Sequence, residues 1–443
     1  MSNVFITFLG LGNPNSKEGE LGYDSLSYEF EDKKSYTTPF AQRATVEWIG
    51  VPNIDKYLVL LTAESREKHW KPLLEEWQEI GVDTSAEADK ITEIDISTNQ
   101  NKTEQWKWFE KLFQHIEKGD TLYFDFTHGF RSVPIIFSTA IGFLQKGKQV
   151  LLKHAFYGYL EDKKQKTGNV IDLVDFYRIN DWADGVSALV ESADPSKLNR
   201  LAEEEGDTSP FKAITDKNLI RDLDNLNLKI RSVDVENVGS AAAKAFKQIE
   251  RLRDPDSHTP DQYLLEMLVE KFAPLAQFTP KTYNSAYFDL QLKLIKVLFA
   301  HRFHMQAFTA MRELIGTIGL AGLLHQSIEI TKLQKDHQRT YADLFFNMCQ
   351  YREKKWKFET MAPKIQERFQ ILRPFWNKMT PDTRENLYRL SSSISTLRNG
   401  FDHAWLGKKG VPQDVAEQCE ELFGSLEQII AELTRINIIK KKE

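Results

Sequence analysis

Cysteine is nearly absent. The 443 residues hold two, Cys349 and Cys419, far apart in segments with helical patterning, which excludes a CxxC metal pair and a disulfide framework and fits a reducing compartment. No uninterrupted apolar run approaches the roughly 18 residues of a membrane span. No basic leader precedes the apolar run in MSNVFITFLG, which reads as a strand, so the expectation is a cytoplasmic protein without a membrane segment. Positive charge is not in excess either: 58 Lys and Arg stand against 64 Asp and Glu, a formal net charge of −6. That excludes the general basic field of proteins that coat nucleic acid and makes any RNA contact a local one. No internal repeat is evident.

What is present is ordinary globular composition, with 41% hydrophobic, 28% charged and 12% aromatic residues. The length exceeds what one hydrophobic core usually supports, so at least two domains are expected. VFITFL (4–9) is a continuous apolar run, as in a strand buried on both faces, and similar runs follow at 57–61, 91–96, 121–126 and 149–153. Helical patterns separate them at 39–49, with Thr38 and Pro39 as cap and first-turn residues, and at 66–80, 102–118 and 132–146. The alternation predicts an α/β domain with a mainly parallel, Rossmann-like sheet whose ligands bind beyond the carboxyl ends of the strands. Segments 149–160 and 169–176 read as a closing hairpin. After residue 178 an acidic, polar passage gives way to long helical patterns, which divides the chain into 1–178, a helical connecting region 179–279, and an all-α domain 280–443.

Near the end of a helical stretch, Arg398 and His403 form R-x4-H, with Asn399 between them. RNA cleavage without a metal needs a group to take or give a proton and a fixed cation to stabilise a pentacoordinate phosphate, roles that suit histidine and arginine. Five residues of ideal helix, however, place the two about 140° apart. Either Gly400 lets the backbone deform, or the site is composite across two copies. Asn399 and His403 share a face and Asn399 can orient the imidazole, whereas a purely structural reading pairs Arg398 with Asp402 at i, i+4. His301 and His304, in HRFH, are one helical turn apart but lack a third ligand in recognisable spacing, so they read as ordinary surface or interface residues and no metal is expected.

The strand at 121–126 runs into Thr127-His128-Gly129-Phe130-Arg131-Ser132, followed by a helix. Hydrogen-bonding side chains, a glycine that admits close approach, a cation and free helical N–H groups together suit a phosphate or polar nucleotide. Gly10, Gly12 and Asn13 sit at the corresponding end of the first strand. Asn15 breaks the third glycine of GxGxxG and Pro14 removes a donor, which disfavours a dinucleotide-dependent enzyme and leaves two readings, a tight turn or a phosphate cradle. The TAES segment, Thr62–Ser65, reads as another ligand-edge loop or as a helix cap.

FLGLGNPN followed by DFTHGFRSVP resembles the sensor domain of the CRISPR-associated CARF-HEPN ribonucleases of type III systems, and the Arg398–His403 segment resembles the HEPN signature. The similarity spans about 4–178 and 280–443. The resemblance implies a CARF domain governing a HEPN domain, with catalytic Arg398 and His403 assisted by Asn399, and 2′,3′-cyclic phosphate products from single-stranded RNA. It further implies a homodimer or higher even oligomer and a cyclic oligoadenylate activator, most often the tetra-adenylate, contacted by Gly10, Gly12, Asn13, Thr127, His128, Gly129 and Arg131. Asp125 and Phe130 are expected to support the loop. Two alternatives stay open: a nucleotide-responsive regulatory protein whose helical domain only dimerises, and a sensor pocket that also cleaves its activator.

Overall fold

A computed structural model describes residues 1–12, 22–31, 33–99, 101–129, 132–162, 164, 166–205, 211–276, 282–326, 335–405 and 414–441. The chain divides into two compact units, Met1–Asp181 and Trp182–Glu443.

In the first unit the described residues form one eight-stranded sheet, with β1 (Asn3–Leu9), β2 (Leu26–Phe30), β3 (Lys33–Thr38), β4 (Lys56–Leu61), β5 (Ile91–Asp95), β6 (Thr121–Asp125), β7 (Leu151–Asp162) and β8 (Thr167–Asp172) in the order β3-β2-β8-β7-β6-β1-β4-β5. Strands β7, β6, β1, β4 and β5 are mutually parallel, as is β2 with β8, while β2–β3 and β7–β8 are antiparallel. The helices are α1 (Ala41–Ile49), α2 (Ala63–Ser65), α3 (Lys71–Glu79), α4 (Lys102–His115) and α5 (Val133–Gly147), with a π-helical segment Arg66–Trp70 between α2 and α3.

Two-faced burial explains the apolar run of β1. Val4, Ile6 and Phe8 pack on one face with Trp108 and Leu112 of α4 and Phe137 and Ile141 of α5. Phe5 and Leu9 face the other way, against Val46 of α1 and Leu73 and Trp77 of α3. From β1 the chain moves to β4 and β5 on one side, then crosses back to β6 and β7 on the other. That reversal opens a crevice beyond the carboxyl ends of β1 and β6, where open α/β sheets hold ligands.

Several expectations need correction. Strands β2 (LSYEF) and β3 (KKSYTT) were not anticipated: β2 alternates apolar and polar residues but is only five residues long, and β3 is polar with every third residue buried. Lys33 and Lys34 suit β3 to the sheet edge, where charge discourages further pairing. Thr38 ends β3 and does not cap a helix; α1 begins after Phe40, which makes no side-chain capping bond, although the Thr38 hydroxyl accepts the Phe40 N–H (3.1 Å). The second arm of the closing hairpin stops at Asp172, and Val174 already belongs to the next helix.

The remaining helices are α6 (Val174–Ser192), α7 (Ser196–Glu205), α8 (Lys217–Arg231), α9 (Val238–Leu252), α10 (Pro260–Phe272), α11 (Ser285–Ala300), α12 (His304–His325), α13 (Lys335–Gln350), α14 (Pro363–Lys378), α15 (Pro381–Asp402) and α16 (Val415–Arg435). The stretch 179–279 supplies α7 to α10, which belong to the second unit. Helix α12 is apolar enough over His304–Leu324 to cross a bilayer by composition, but 78% of that window is buried inside the protein. It lacks side chains where neighbours come closest: a Cβ on Gly316, Gly319 or Gly322 would lie 2.9 Å from the Ala342 carbonyl oxygen, 2.5 Å from Phe345 and 2.5 Å from Phe375.

Candidate functional sites

Strand β6 ends in Asp125, which is fully buried. Its carboxylate accepts the Thr7 hydroxyl (3.2 Å), the Thr127 backbone N–H (2.9 Å) and the Thr127 hydroxyl (2.5 Å). Burial pushes Asp125 up to about 6, against the lowering effect of its bonds from Thr127 and Thr7. The Thr127 hydroxyl also accepts the Gly158 N–H (2.9 Å). Its proton is therefore committed to Asp125, and the supporting role expected of Asp125 is visible in these bonds.

Next in the chain, His128 closes the crevice. A Cβ on Gly10 would lie 2.8 Å from the His128 carbonyl oxygen, so the glycine permits the β1 and β6 loops to meet. The His128 ring stands against Tyr23 (centroids 4.5 Å apart), and Tyr23 in turn against His69 (4.8 Å). Among the described residues the buried His128 Nε2 and His69 Nδ1 have no hydrogen-bond partner, while His69 Nε2–H donates to the Leu11 carbonyl at 3.1 Å. Burial lowers His128 to about 4, reinforced by His69, so its imidazole is neutral at pH 7. His69 is also lowered by burial, opposed by its bond to Leu11. Tyr23 is raised by burial.

Two adjoining hollows result. One, of about 310 Å³, includes Gly10, Gly12, Tyr23, Thr62, His128 and Gly129; the other, of about 270 Å³, includes Gly12, Tyr23, Tyr28, Thr127, His128 and Gly158. Gly12, Tyr23 and His128 form the wall between them. Thr62 and Ser65 make a reciprocal capping box, with Ser65 N–H to Thr62 Oγ1 at 3.1 Å and Thr62 N–H to Ser65 Oγ at 2.9 Å, so capping is their observed role even though Thr62 lines a hollow. Asn13, Phe130 and Arg131 lie outside the described residues.

Sequence reasoning missed Tyr23 and His69. Neither stands in a motif. The one local signal at His69 is structural, the π-helical segment Arg66–Trp70 that carries it inward, a distortion frequent at functional sites.

The second candidate site is the end of α15. Thr380 caps its start by accepting the Thr383 N–H (3.1 Å), and Leu387, Leu390, Ile394, Leu397 and Gly400 form its buried stripe. The helix continues through Gly400 to Asp402, so the backbone deformation offered as one solution for R-x4-H does not occur. Gly400 serves packing: a Cβ there would lie 2.6 Å from the Trp405 ring. Ala404 and Trp405 adopt left-handed conformations (φ 48° and 58°), and the Trp405 N–H closes onto the Gly400 carbonyl at 2.8 Å.

Arg398 thus lies within regular helix, whereas His403 is the residue after its end and has left helical conformation (φ −104°, ψ 20°). Arg398 is one-third exposed, with Nε 3.4 Å from the Asp402 carboxylate and no hydrogen bond to it, so the i, i+4 pairing is present as a loose ion pair. Its cleft of about 730 Å³ also includes Tyr283, Tyr287, Gln291, Glu313 and Arg339. Asn399 and His403 are exposed. Among the described residues no side-chain bond links them; the His403 backbone N–H donates to the Asn399 carbonyl at 3.2 Å.

His301 and His304 prove to flank the turn between α11 and α12 and do not share a helical face. His301 is buried, with Nε2–H donating to the Val190 carbonyl at 2.8 Å, so of the two readings, surface or interface, the surface one does not hold for it. His304 Nδ1 lies 3.3 Å from Cys419 Sγ. Among the described residues no group of three His, Cys, Asp or Glu side chains could hold a metal ion.

No family model matches the chain. It is 27% identical over 253 residues to the CRISPR-associated protein MJ1674 of Methanocaldococcus jannaschii, a match that takes in 46% of this chain and 39% of the relative, so the chain spans about two-fifths of that protein's length. A solved structure, Enterococcus italicus Csm6 bound to cyclic hexa-2′-fluoro-hexa-dAMP, aligns over 98% of this chain and 95% of its own with a TM-score of 0.44 and 9% identity. Similarity to a CRISPR-associated protein agrees with the CARF-HEPN resemblance carried by FLGLGNPN, DFTHGFRSVP and the Arg398–His403 segment.

Proposed function

We propose that this protein is a cyclic oligoadenylate-activated, metal-independent endoribonuclease that cuts single-stranded RNA in type III CRISPR antiviral defence. The observation that carries the reading is the end of α15, which holds Arg398 partly shielded at a polar cleft and His403 exposed one turn further on. His403 takes the proton of a ribose 2′-hydroxyl, the 2′-oxygen attacks phosphorus, and the bond to the 5′-oxygen breaks as that oxygen gains a proton. A 2′,3′-cyclic phosphate and a 5′-hydroxyl result. Arg398 offsets charge on the pentacoordinate phosphate, and Asn399, which makes no side-chain bond to His403 in the single chain, assists by orienting the imidazole once the site is assembled. Because Arg398 lies within α15 and His403 just beyond its end, the working site is composite, with the motifs of two copies meeting across a two-fold axis.

The crevice beyond β1 and β6 takes the activator, with the tetra-adenylate as first candidate. Neutral His128 offers a hydrogen-bonding edge, Gly10, Gly12 and Gly129 admit backbone approach, and Asn13, Thr127 and Arg131 complete the contact set. A homodimer fits the exposed apolar side chains Ile135 and Phe143, eight residues apart on α5, which a second copy would cover. The CRISPR-associated relative supports the setting. Activation requires that the activator bind one arrangement of the dimer better than another.

The ion pair of Arg398 with Asp402 favours a second reading, in which the helical unit only dimerises and the protein is a nucleotide-responsive regulator. One experiment separates the two: labelled single-stranded RNA in EDTA, with and without cyclic tetra- and hexa-adenylate, beside Arg398→Ala and His403→Ala. The expected result is cleavage with one activator only and a loss of about 100-fold or more in the His403→Ala protein, with activator binding intact. Cutting that persists in both variants, or that needs added metal, would sink the mechanism.

A further inference from the structure

A third feature lies on neither site. The end of α13 and the segment after it frame a groove of about 540 Å³ that includes Asn347, Tyr351, Lys355, Trp356, Lys357 and Arg368. It joins the exposed ring of Tyr351 and the half-buried ring of Trp356 to positive charge. Tyr351 is 49% exposed. Trp356 is held in place by its indole N–H, which donates to the carbonyls of Met348 (3.2 Å) and Tyr351 (2.9 Å), and by edge-on packing against Phe369.

Lys354, Lys355 and Lys357 are exposed and, among the described residues, make no ion pair. The acids interleaved with them are already engaged. Glu353 accepts from the Trp376 indole (2.9 Å) and pairs with Arg384 (2.8 Å), and Glu359 pairs with Arg373 (2.9 Å). Asp343, on the groove wall, is taken by Arg312 (2.9 Å) and Arg339 (3.5 Å). In a chain of net charge −6, this face is locally cationic.

The groove also adjoins the Arg398 cleft. Arg339, which pairs with Asp343 on the groove side, pairs with Glu313 (3.0 Å) on the cleft side. Gln350, beside Tyr351, donates to the hydroxyl of Ser395 (2.8 Å), one turn before Arg398.

We propose that this groove is an accessory binding site for single-stranded RNA, with Tyr351 and Trp356 stacking bases and Lys355 and Lys357 holding phosphates of the strand that enters the Arg398 cleft. Charge complementarity selects a polyanion, and the aromatic faces select one with unpaired bases. The substrate role rests on the ribonuclease reading of α15; RNA binding itself does not.

The test uses the full chain carrying His403→Ala, so that RNA is not consumed, and a fluorescein-labelled single-stranded oligouridine read by anisotropy across a salt series. Tyr351→Ala is expected to weaken binding at least about five-fold, with Tyr351→Phe restoring it, since a phenyl face stacks as well. Lys355→Ala with Lys357→Ala is expected to weaken binding and to flatten the salt dependence by about 0.7 per lysine lost. In the protein with His403 intact, the same substitutions raise KM and leave kcat within about two-fold. Unchanged affinity and salt slope in both variants overturn the groove, even if the intact protein cuts RNA. Weakened binding in the variants of a protein that cuts no RNA supports the groove and removes the ribonuclease reading instead.

Discussion

At the residue scale the crevice is defined by what touches Asp125 and His128. Gly10 is the most constrained position: the His128 carbonyl sits 2.8 Å from where a methyl group would be, and backbone cannot yield as a flexible side chain does. Gly10→Ala should cost about 1–3 kcal/mol in thermal or denaturant unfolding and lower the affinity for cyclic tetra-adenylate at least ten-fold in calorimetric titration. Asp125 makes a pH-dependent prediction. Its folded value of about 6 lies above the usual 3.8, so the folded state holds the extra proton between those values and the contribution of Asp125 to stability falls as pH rises from about 4 to 6. Asp125→Asn removes that slope. Relative to the parent, the variant should gain up to about 3 kcal/mol across the window and then level off, which denaturant titration at pH 4, 5, 6 and 7 would reveal. A difference that is flat with pH would mean the carboxyl is not protonated in the folded state.

Elements differ in how openly the sequence announces them. Strands β1 and β4 are buried on both faces, and their continuous apolar runs mark them almost to the residue. Strand β3 lies at the edge, buries only every third residue and opens with two lysines, so its periodicity does not separate it from a loop; β2 does alternate, Leu26-Ser27-Tyr28-Glu29-Phe30, but over five residues only. THGFRS was legible because several chemistries crowd one strand–helix junction. Tyr23 and His69 were not, since they reach His128 only through the third dimension. For α15, the spacing of Arg398 and His403 was legible as R-x4-H, while the reason for Gly400 needed the Trp405 ring. Gly400→Ala should therefore destabilise the helix end by about 1–3 kcal/mol and reduce cleavage, and Gly400→Ala with Trp405→Ala should recover part of the loss. Additive losses in the double variant, measured by unfolding and RNA cleavage, would show that the two do not act through one contact.

For the whole molecule, assembly governs activity in the proposed mechanism. Ile135 and Phe143 stand 72% and 59% exposed on α5. Charging that stripe with Ile135→Glu and Phe143→Glu should shift the protein toward monomer in analytical ultracentrifugation and reduce activator-dependent cleavage in proportion. A monomer that still responds to activator would remove the two-fold composite site.

The glycines of α12 bear on how such a molecule could be switched. Where Gly316, Gly319 and Gly322 meet Ala342, Phe345 and Phe375, α12 contributes no side chain of its own, and the Ala342 carbonyl and the Phe345 and Phe375 rings lie directly against its backbone. Loose layers absorb a push by repacking, whereas close-packed contacts of low compressibility transmit it. A displacement of α12 would carry its neighbours along like gear teeth already in mesh. Activation by loosening this core is thus the costly route, and activation by turning it as one body is the economical one.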